Sequence, residues 1–323
     1  MSPIARRPGL MTSFDIRHTS EDFPASHPVS SGTLGLEWSD LLWAAITIGR
    51  PNVTYVFQHG DASVHEALFR VFMIKTALGQ VGGSRRFQRT AAFKALDPTE
   101  KGAVSYFLGM AVCKLFASRL LNTPWLLHLD VFGSQLSATT RSGRSRPDLI
   151  GQDTSGRWHA FETKGRSGMP SAEDKLKAKT QAERLVSVNG VDCTLQVGSF
   201  TFFRKDALEF YWRDPEPEAP EKLDPIEIDV TDEDWGAYYT HALALAAQAR
   251  DGLLAEQFRA ADIKVEIHPE VRPLLIEGQW GKARQIASAL SSVFSKDGFK
   301  ADGVRVVVGD SWPVRKRQVR VQE

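Results

Sequence analysis

The sequence predicts a mixed α/β protein whose centre runs helix, three strands, helix, strand. Three observations lead there. Asp97-Pro98-Thr99-Glu100 opens a long apolar run, two apolar segments flank the turn-rich stretch 151–157, and a charged helical pattern over 171–188 is followed by a β-rich run over 193–203.

Asp97 is placed as an N-cap, with Pro98 at the first helical position and Glu100 three residues after the cap, which is a capping-box start. The run 104–121 that follows is apolar on nearly all sides, with Tyr106, Phe107, Leu108, Met110, Val112, Leu115 and Phe116. Such a run suits a helix buried against a sheet. Residues 125–132 read as the first strand. Leu149-Ile150, the turn, and Trp158-His159-Ala160-Phe161 read as an antiparallel hairpin. A three-residue loop Thr154-Ser155-Gly156 with Gly156 left-handed is a common hairpin connection. Centred on Ser155, it sets Asp148 directly opposite Glu162, with Cβ atoms about 4.5–5.5 Å apart. Period-2 alternation puts Lys164 on the face of Glu162, and His159, Phe161 and Thr163 on the other. A slip of one residue would part the two carboxylates. Residues 171–188 read as a helix that starts at Ser171-x-x-Asp174 and ends at Asn189-Gly190. The run 193–203 reads as the last core strand.

Two carboxylates at that separation can share one Mg²⁺, an ion that binds through one or two carboxylates and substrate phosphate. An ammonium beside them suits phosphodiester hydrolysis, where developing anionic charge must be neutralised.

Arg146-Pro147-Asp148 and Glu162-Thr163-Lys164, in this order of elements, resemble the PD-(D/E)xK nuclease superfamily, the restriction-endonuclease-like fold, over about residues 97–213. The resemblance implies an αβββαβ core. It implies a metal-dependent endonuclease, with DNA as the favoured substrate, working in restriction, anti-phage defence or repair. It makes Asp148 and Glu162 ligands of Mg²⁺, with Mn²⁺ as a substitute, and adds the Thr163 backbone carbonyl as a further ligand. Lys164 would orient or activate the attacking water. An acidic residue on the first helix points to Glu100, which reads equally as a helix cap. A glutamine on the second helix points to Gln181, an ordinary residue for a charged face. The alternative is a non-catalytic nucleic-acid-binding or assembly subunit that keeps the fold.

From Thr139 to Arg184 the local net charge is +4, against +1 for the whole chain. Arg141, Arg144, Arg146, Arg166, Lys175 and Lys179 are the expected contacts to a nucleic-acid backbone. Solvated surface is the plain alternative. A homodimer or a partner subunit of a defence system fits cleavage of two strands.

The rest of the chain is less specific. Residues 1–34 are rich in Ser, Pro and His and read as loosely ordered. Over 35–96 the pattern gives a helix at 36–48, a strand at 53–58 and a helix at 64–78. His59, Asp61, His65 and Glu66 could hold a metal in a different hydrolase, but Ser63-x-x-Glu66 reads as a capping box. The Pro- and acid-rich stretch 214–225 reads as a linker. Residues 226–323 then form a small α/β module, with helices at 233–258 and 281–294 and strands at 263–267 and 304–308. Cys113 and Cys193, the two cysteines of 323 residues, have no partner at metal spacing, so no disulfide framework or cysteine zinc site is expected. No apolar segment follows Arg6-Arg7, and no window reads as a membrane span, so a cytoplasmic protein is expected.

Overall fold

A computed structural model describes residues 13–48, 61–80, 84–139, 146–215, 225–248 and 255–312. The expected strand at 53–58, His59, Arg141 and Arg144 lie outside these.

The architecture is mixed α/β around one large sheet. In chain order its strands are β1 (Ser13–Glu21), β2 (Gly32–Glu37), the two-residue β3 (Leu78–Gly79) and β4 (Gln88–Arg89), β5 (Trp125–His128), β6 (Leu149–Gln152), β7 (Trp158–Arg166), β10 (Leu195–Arg204) and β11 (Ala207–Arg213). Between β7 and β10 lie β8 (Leu185–Val188) and β9 (Val191–Asp192). These join β12 (Ile226–Ile228) in a separate three-stranded sheet. The spatial order of the main sheet is β2-β1-β11-β10-β7-β6-β5. β5, β6 and β7 form an antiparallel meander, and β10 runs parallel to β7. Helix Pro98–Leu120 precedes the meander and helix Ala172–Glu183 follows it; a short helix Gly133–Thr139 between β5 and β6, and β8 and β9 before β10, interrupt the simple helix, three strands, helix, strand order.

Both helix starts form as the sequence indicates. The Asp97 carboxylate accepts the Thr99 and Glu100 N–H groups, and the Ser171 hydroxyl accepts the Asp174 N–H; each start is a closed capping box. Period-2 alternation places the two helices on opposite faces of the sheet. Gly165 of β7 lies against Ser105 of the first helix. Gly198 of β10, paired with Glu162, lies against Ala178 and Lys179 of the second.

Several expectations are corrected. Residues 13–37 form two strands of the main sheet, with Phe14 and Ile16 fully buried. β1 pairs in parallel with β11, so its partner lies far along the chain and its own composition does not announce it. The second helix stops at Glu183. Leu185–Val188 is a strand, and Asn189-Gly190, both left-handed at φ 53° and 70°, makes the two-residue turn of a hairpin rather than a helix cap. The strand expected over 125–132 keeps only Trp125–His128 before a 3₁₀ turn. The helix expected from 36 starts at Trp38 after a Glu37–Asp40 capping box. The helix expected from 64 starts at Asp61, ahead of Ser63, and carries an exposed His65.

The stretch 214–225 does not divide two cores. One continuous apolar cluster runs from Phe14 to Trp312. β12 pairs with β8, and the antiparallel pair of β13 (Ile263–Ile267) and β14 (Val304–Val308), joined through two helices, packs on helix Trp38–Thr47. A buried polar knot joins the parts. Lys114, in the middle of helix Pro98–Leu120, donates to the Thr47 carbonyl at 2.7 Å and to the Tyr238 hydroxyl at 2.8 Å. Tyr238 and the Trp43 indole donate to Asp302, at 2.6 and 2.8 Å. Burial pulls the Lys114 pKa down and pushes that of Asp302 up.

Helix Pro98–Leu120 spans 23 residues and is long and apolar enough, by length and composition, to cross a membrane, contrary to the sequence expectation. Most of its apolar window is buried against the sheet, as befits a core helix.

Candidate active site

The site arises from a mismatch in length between two strands. β6 pairs Leu149 with Phe161 and Gln152 with Trp158. The turn closes with the Asp153 N–H on the Arg157 carbonyl at 2.9 Å and the Gly156 N–H on the Asp153 carbonyl at 3.1 Å. Gly156 is left-handed, φ 86°. This is the loop that the turn chemistry predicts, and its register carries Asp148 to the position opposite Glu162. The Asp148 N–H still reaches the Phe161 carbonyl at 3.1 Å, but Pro147 has no N–H with which to extend the ladder. On that side β7 runs on unpaired by β6. Asp148 fills the vacated edge, and its Oδ2 accepts the Thr163 N–H at 3.0 Å. Carbonyls two residues apart on a strand point to the same side, so the Thr163 carbonyl faces this edge, as that of Phe161 faces β6.

The electrostatics are those of two carboxylates forced together. Glu162 is 0% exposed and forms an ion pair with Lys164. Neither of its oxygens has a hydrogen-bond partner of acceptable geometry among the described residues. Burial, and then the neighbouring Asp148, push its pKa up to about 8; burial also raises that of Asp148. A buried pair that resists ionisation, with both Glu162 oxygens short of a well-formed hydrogen bond and the Thr163 carbonyl facing the same edge, suits a hard divalent cation. The donor set therefore fits Mg²⁺ or Mn²⁺.

A pH dependence follows. In EDTA the Glu162 carboxyl holds its proton more tightly when folded, near 8, than its ordinary 4.5. Its contribution to stability is fully present below 4.5 and is lost as pH rises through about 8. Thermal melts from pH 5 to pH 9 should show wild type losing ground to Glu162→Gln as the pH rises. Parallel curves would refute this.

Other groups frame the pair. The His128 Nδ1 accepts the Asp130 N–H at 3.2 Å, which places the imidazole proton on Nε2, 3.1 Å from the Tyr106 hydroxyl. Tyr106 then has its own hydroxyl proton free to donate. It is 38% exposed, and burial and the Asp148 charge raise its pKa. Asp130 also pairs with Arg146. On the opposite face of β7, Cys113 is buried and its thiol pushed up to about 12 by burial, so it packs and does not react.

Tyr106 reads in the sequence as one more apolar residue of a core helix, and His128 falls within the run 125–132 that reads as a strand. Only the meander brings them to Asp148. Gly109 and Gly165 were also missed; an added Cβ on Gly165 would lie 1.7 Å from the Ser105 carbonyl oxygen. The only sequence signal was Gly165 directly following Lys164.

The remaining expected site residues scatter. Glu100 is exposed, and its carboxylate accepts the Asp97 N–H at 3.2 Å, the helix-cap role. Gln181 lies on helix Ala172–Glu183, with its Oε1 buried and without a partner among the described residues. Arg166 is exposed and pairs with Asp174. Lys175 sits 3.6 Å over the Tyr211 ring and pairs with Glu21 at 3.7 Å, on the β11 side. Lys179 is corrected outright as a backbone contact. It is 4% exposed and donates to Asp214 at 2.6 Å and to the Gln196 carbonyl at 2.9 Å, so it cannot reach a polymer.

Comparison with family models, with curated proteins and with solved structures finds no match to this chain.

Proposed function

We propose that the chain is a metal-dependent nuclease of the PD-(D/E)xK kind, hydrolysing phosphodiester bonds, with DNA as its first candidate substrate. The observation that carries this is the juxtaposition of Asp148 and Glu162 across the end of β6, with Lys164 ion-paired on the same face. Asp148, Glu162 and the Thr163 carbonyl would hold Mg²⁺ or Mn²⁺, which would supply charge neutralisation at the scissile phosphate. Lys164 is 35% exposed, and an ammonium has three donors, so beside its Glu162 contact it can hold a water or a phosphate oxygen. Tyr106 offers a donor from the adjoining helix. The non-catalytic alternative needs an open basic surface, whereas Arg146, Arg166, Lys175 and Lys179 are all engaged by carboxylates.

The test is cleavage of supercoiled, linear and single-stranded DNA, and of RNA, by pure protein with Mg²⁺ or Mn²⁺ and with EDTA controls. Metal-dependent cutting identifies the polymer; its absence on every substrate overturns the reading. Tyr106→Phe should cut about 10- to 150-fold more slowly, the value of one hydrogen bond to a charged oxygen. Unchanged single-turnover rates would remove Tyr106 from the site.

A further inference from the structure

A second cluster of ligating side chains lies at the opposite end of the same hairpin. His159 follows the turn on β7, Asp153 precedes it, and His27 comes from the segment between β1 and β2. One ligand atom from each lies within 4.8 Å of the others, and all three residues are buried. The Nε2 of His27 and both ring nitrogens of His159 have no hydrogen-bond partner among the described residues. Buried polar nitrogens without partners are costly and uncommon, so three in one cluster point to a missing ligand.

We propose that His27, Asp153 and His159 bind a single divalent ion of the zinc class. The Asp153 Oδ2 lies 3.5 Å from the His159 Nε2. That is long for a hydrogen bond and close to the separation of about 3.4 Å between two ligands on a tetrahedral zinc with bonds of about 2.0–2.1 Å. The supporting contacts match a ligand set. The His27 Nδ1 meets the Ser26 hydroxyl at 3.1 Å, which leaves Nε2 for the ion. The Asp153 Oδ1 accepts the Ser155 and Arg157 N–H groups at 2.8 and 2.9 Å, so the carboxylate is held in place. The Arg157 guanidinium also donates to Oδ2 at 2.7 Å, but its side chain is 46% exposed and can withdraw into solvent. Two imidazoles and one carboxylate favour zinc-class ions over Mg²⁺ or Ca²⁺, which take oxygen ligands. His159 points to the face opposite Glu162 and lies three residues away, about 10 Å along the strand. The two sites are therefore separate, and this one does not depend on the nuclease reading. Its ion would pin the segment carrying His27 to the hairpin that carries Asp148 and Glu162.

The full chain, stripped with a chelator and dialysed against micromolar Zn²⁺, should retain one zinc per molecule by elemental analysis. Zn²⁺ should also raise its melting temperature. Both effects should persist in the double variant Asp148→Asn, Glu162→Gln and vanish in His27→Ala, which removes a ligand from a connecting segment and leaves the sheet intact. Co²⁺ should give a visible d–d spectrum that His27→Ala loses. Zinc no higher in wild type than in His27→Ala overturns the proposal. So does zinc lost with the carboxylate pair but kept in His27→Ala, since the ion would then belong to the other site.

Discussion

Asp148→Ala and Lys164→Ala should each lower metal-dependent cleavage by about 10²–10⁴-fold, the range for groups that hold an ion or handle a proton in the transition state. The reasons differ. Asp148→Ala removes one of two carboxylates around the vacated edge of β7 and leaves the Thr163 N–H without its acceptor. Lys164→Ala leaves both carboxylates and removes the ammonium beside them, so Glu162 loses its ion pair. Metal affinity should fall in the first and hold in the second. Single-turnover rates against Mg²⁺ concentration separate them: excess metal should partly rescue Asp148→Ala and leave Lys164→Ala inactive. Full activity in Lys164→Ala would remove the lysine from the chemistry.

Gly165→Ala should be as damaging without touching a reacting group. Its Cβ would stand 1.7 Å from the Ser105 carbonyl oxygen and 2.2 Å from its carbon, both backbone atoms of helix Pro98–Leu120. Relief to an ordinary contact of about 3.3 Å requires the helix and β7 to separate by roughly 1.5 Å. Gly109, on the same helix, rests against the same residue, so rotating the helix offers no escape. Lys164 and Tyr106 lie on either side of this crossing, and a misplacement of about 1 Å costs on the order of 10²-fold in rate. Overpacking of this kind also destabilises by about 1–3 kcal/mol, and by more where backbone must move. Gly168→Ala, with nothing within 4 Å of the new Cβ, is the matched control and should be silent in both melting temperature and cleavage. A normal rate in Gly165→Ala would show that the crossing does not position the site.

The hairpin was legible because local chemistry decides it. Gly156 permits the left-handed turn residue, and the turn length then sets every pair, including Asp148 with Glu162. The capping boxes at Asp97 and Ser171 were legible for the same reason. What escaped is set by partners distant in sequence. β1 is a strand because β11 lies beside it, and nothing in Ser13–Glu21 names that neighbour. Lys179 looks like a surface cation until Asp214 and the Gln196 carbonyl close over it. Asn189-Gly190 serves equally as a helix cap or a hairpin turn, and only the pairing of Val188 with Val191 decides. His27 and His159 stand far apart in sequence, and no spacing rule joins them.

The contacts of Lys114 also bear on how far this chain can be shortened. A polypeptide cut after Arg213 would keep both carboxylates, Lys164 and every element of the expected core. It would lose Tyr238 and Asp302. Lys114, buried in the long helix, would keep its Thr47 contacts and the face of the Trp43 ring but lose the Tyr238 hydroxyl. Leaving a buried polar group without one of its hydrogen-bond partners costs about 1–3 kcal/mol, a sizeable share of the stability of a whole domain. That cost falls on the helix whose Ser105 carbonyl bears on Gly165, one residue from Lys164. Tyr238 and Asp302 thus steady, from far along the chain, the helix on which the Lys164 end of β7 rests.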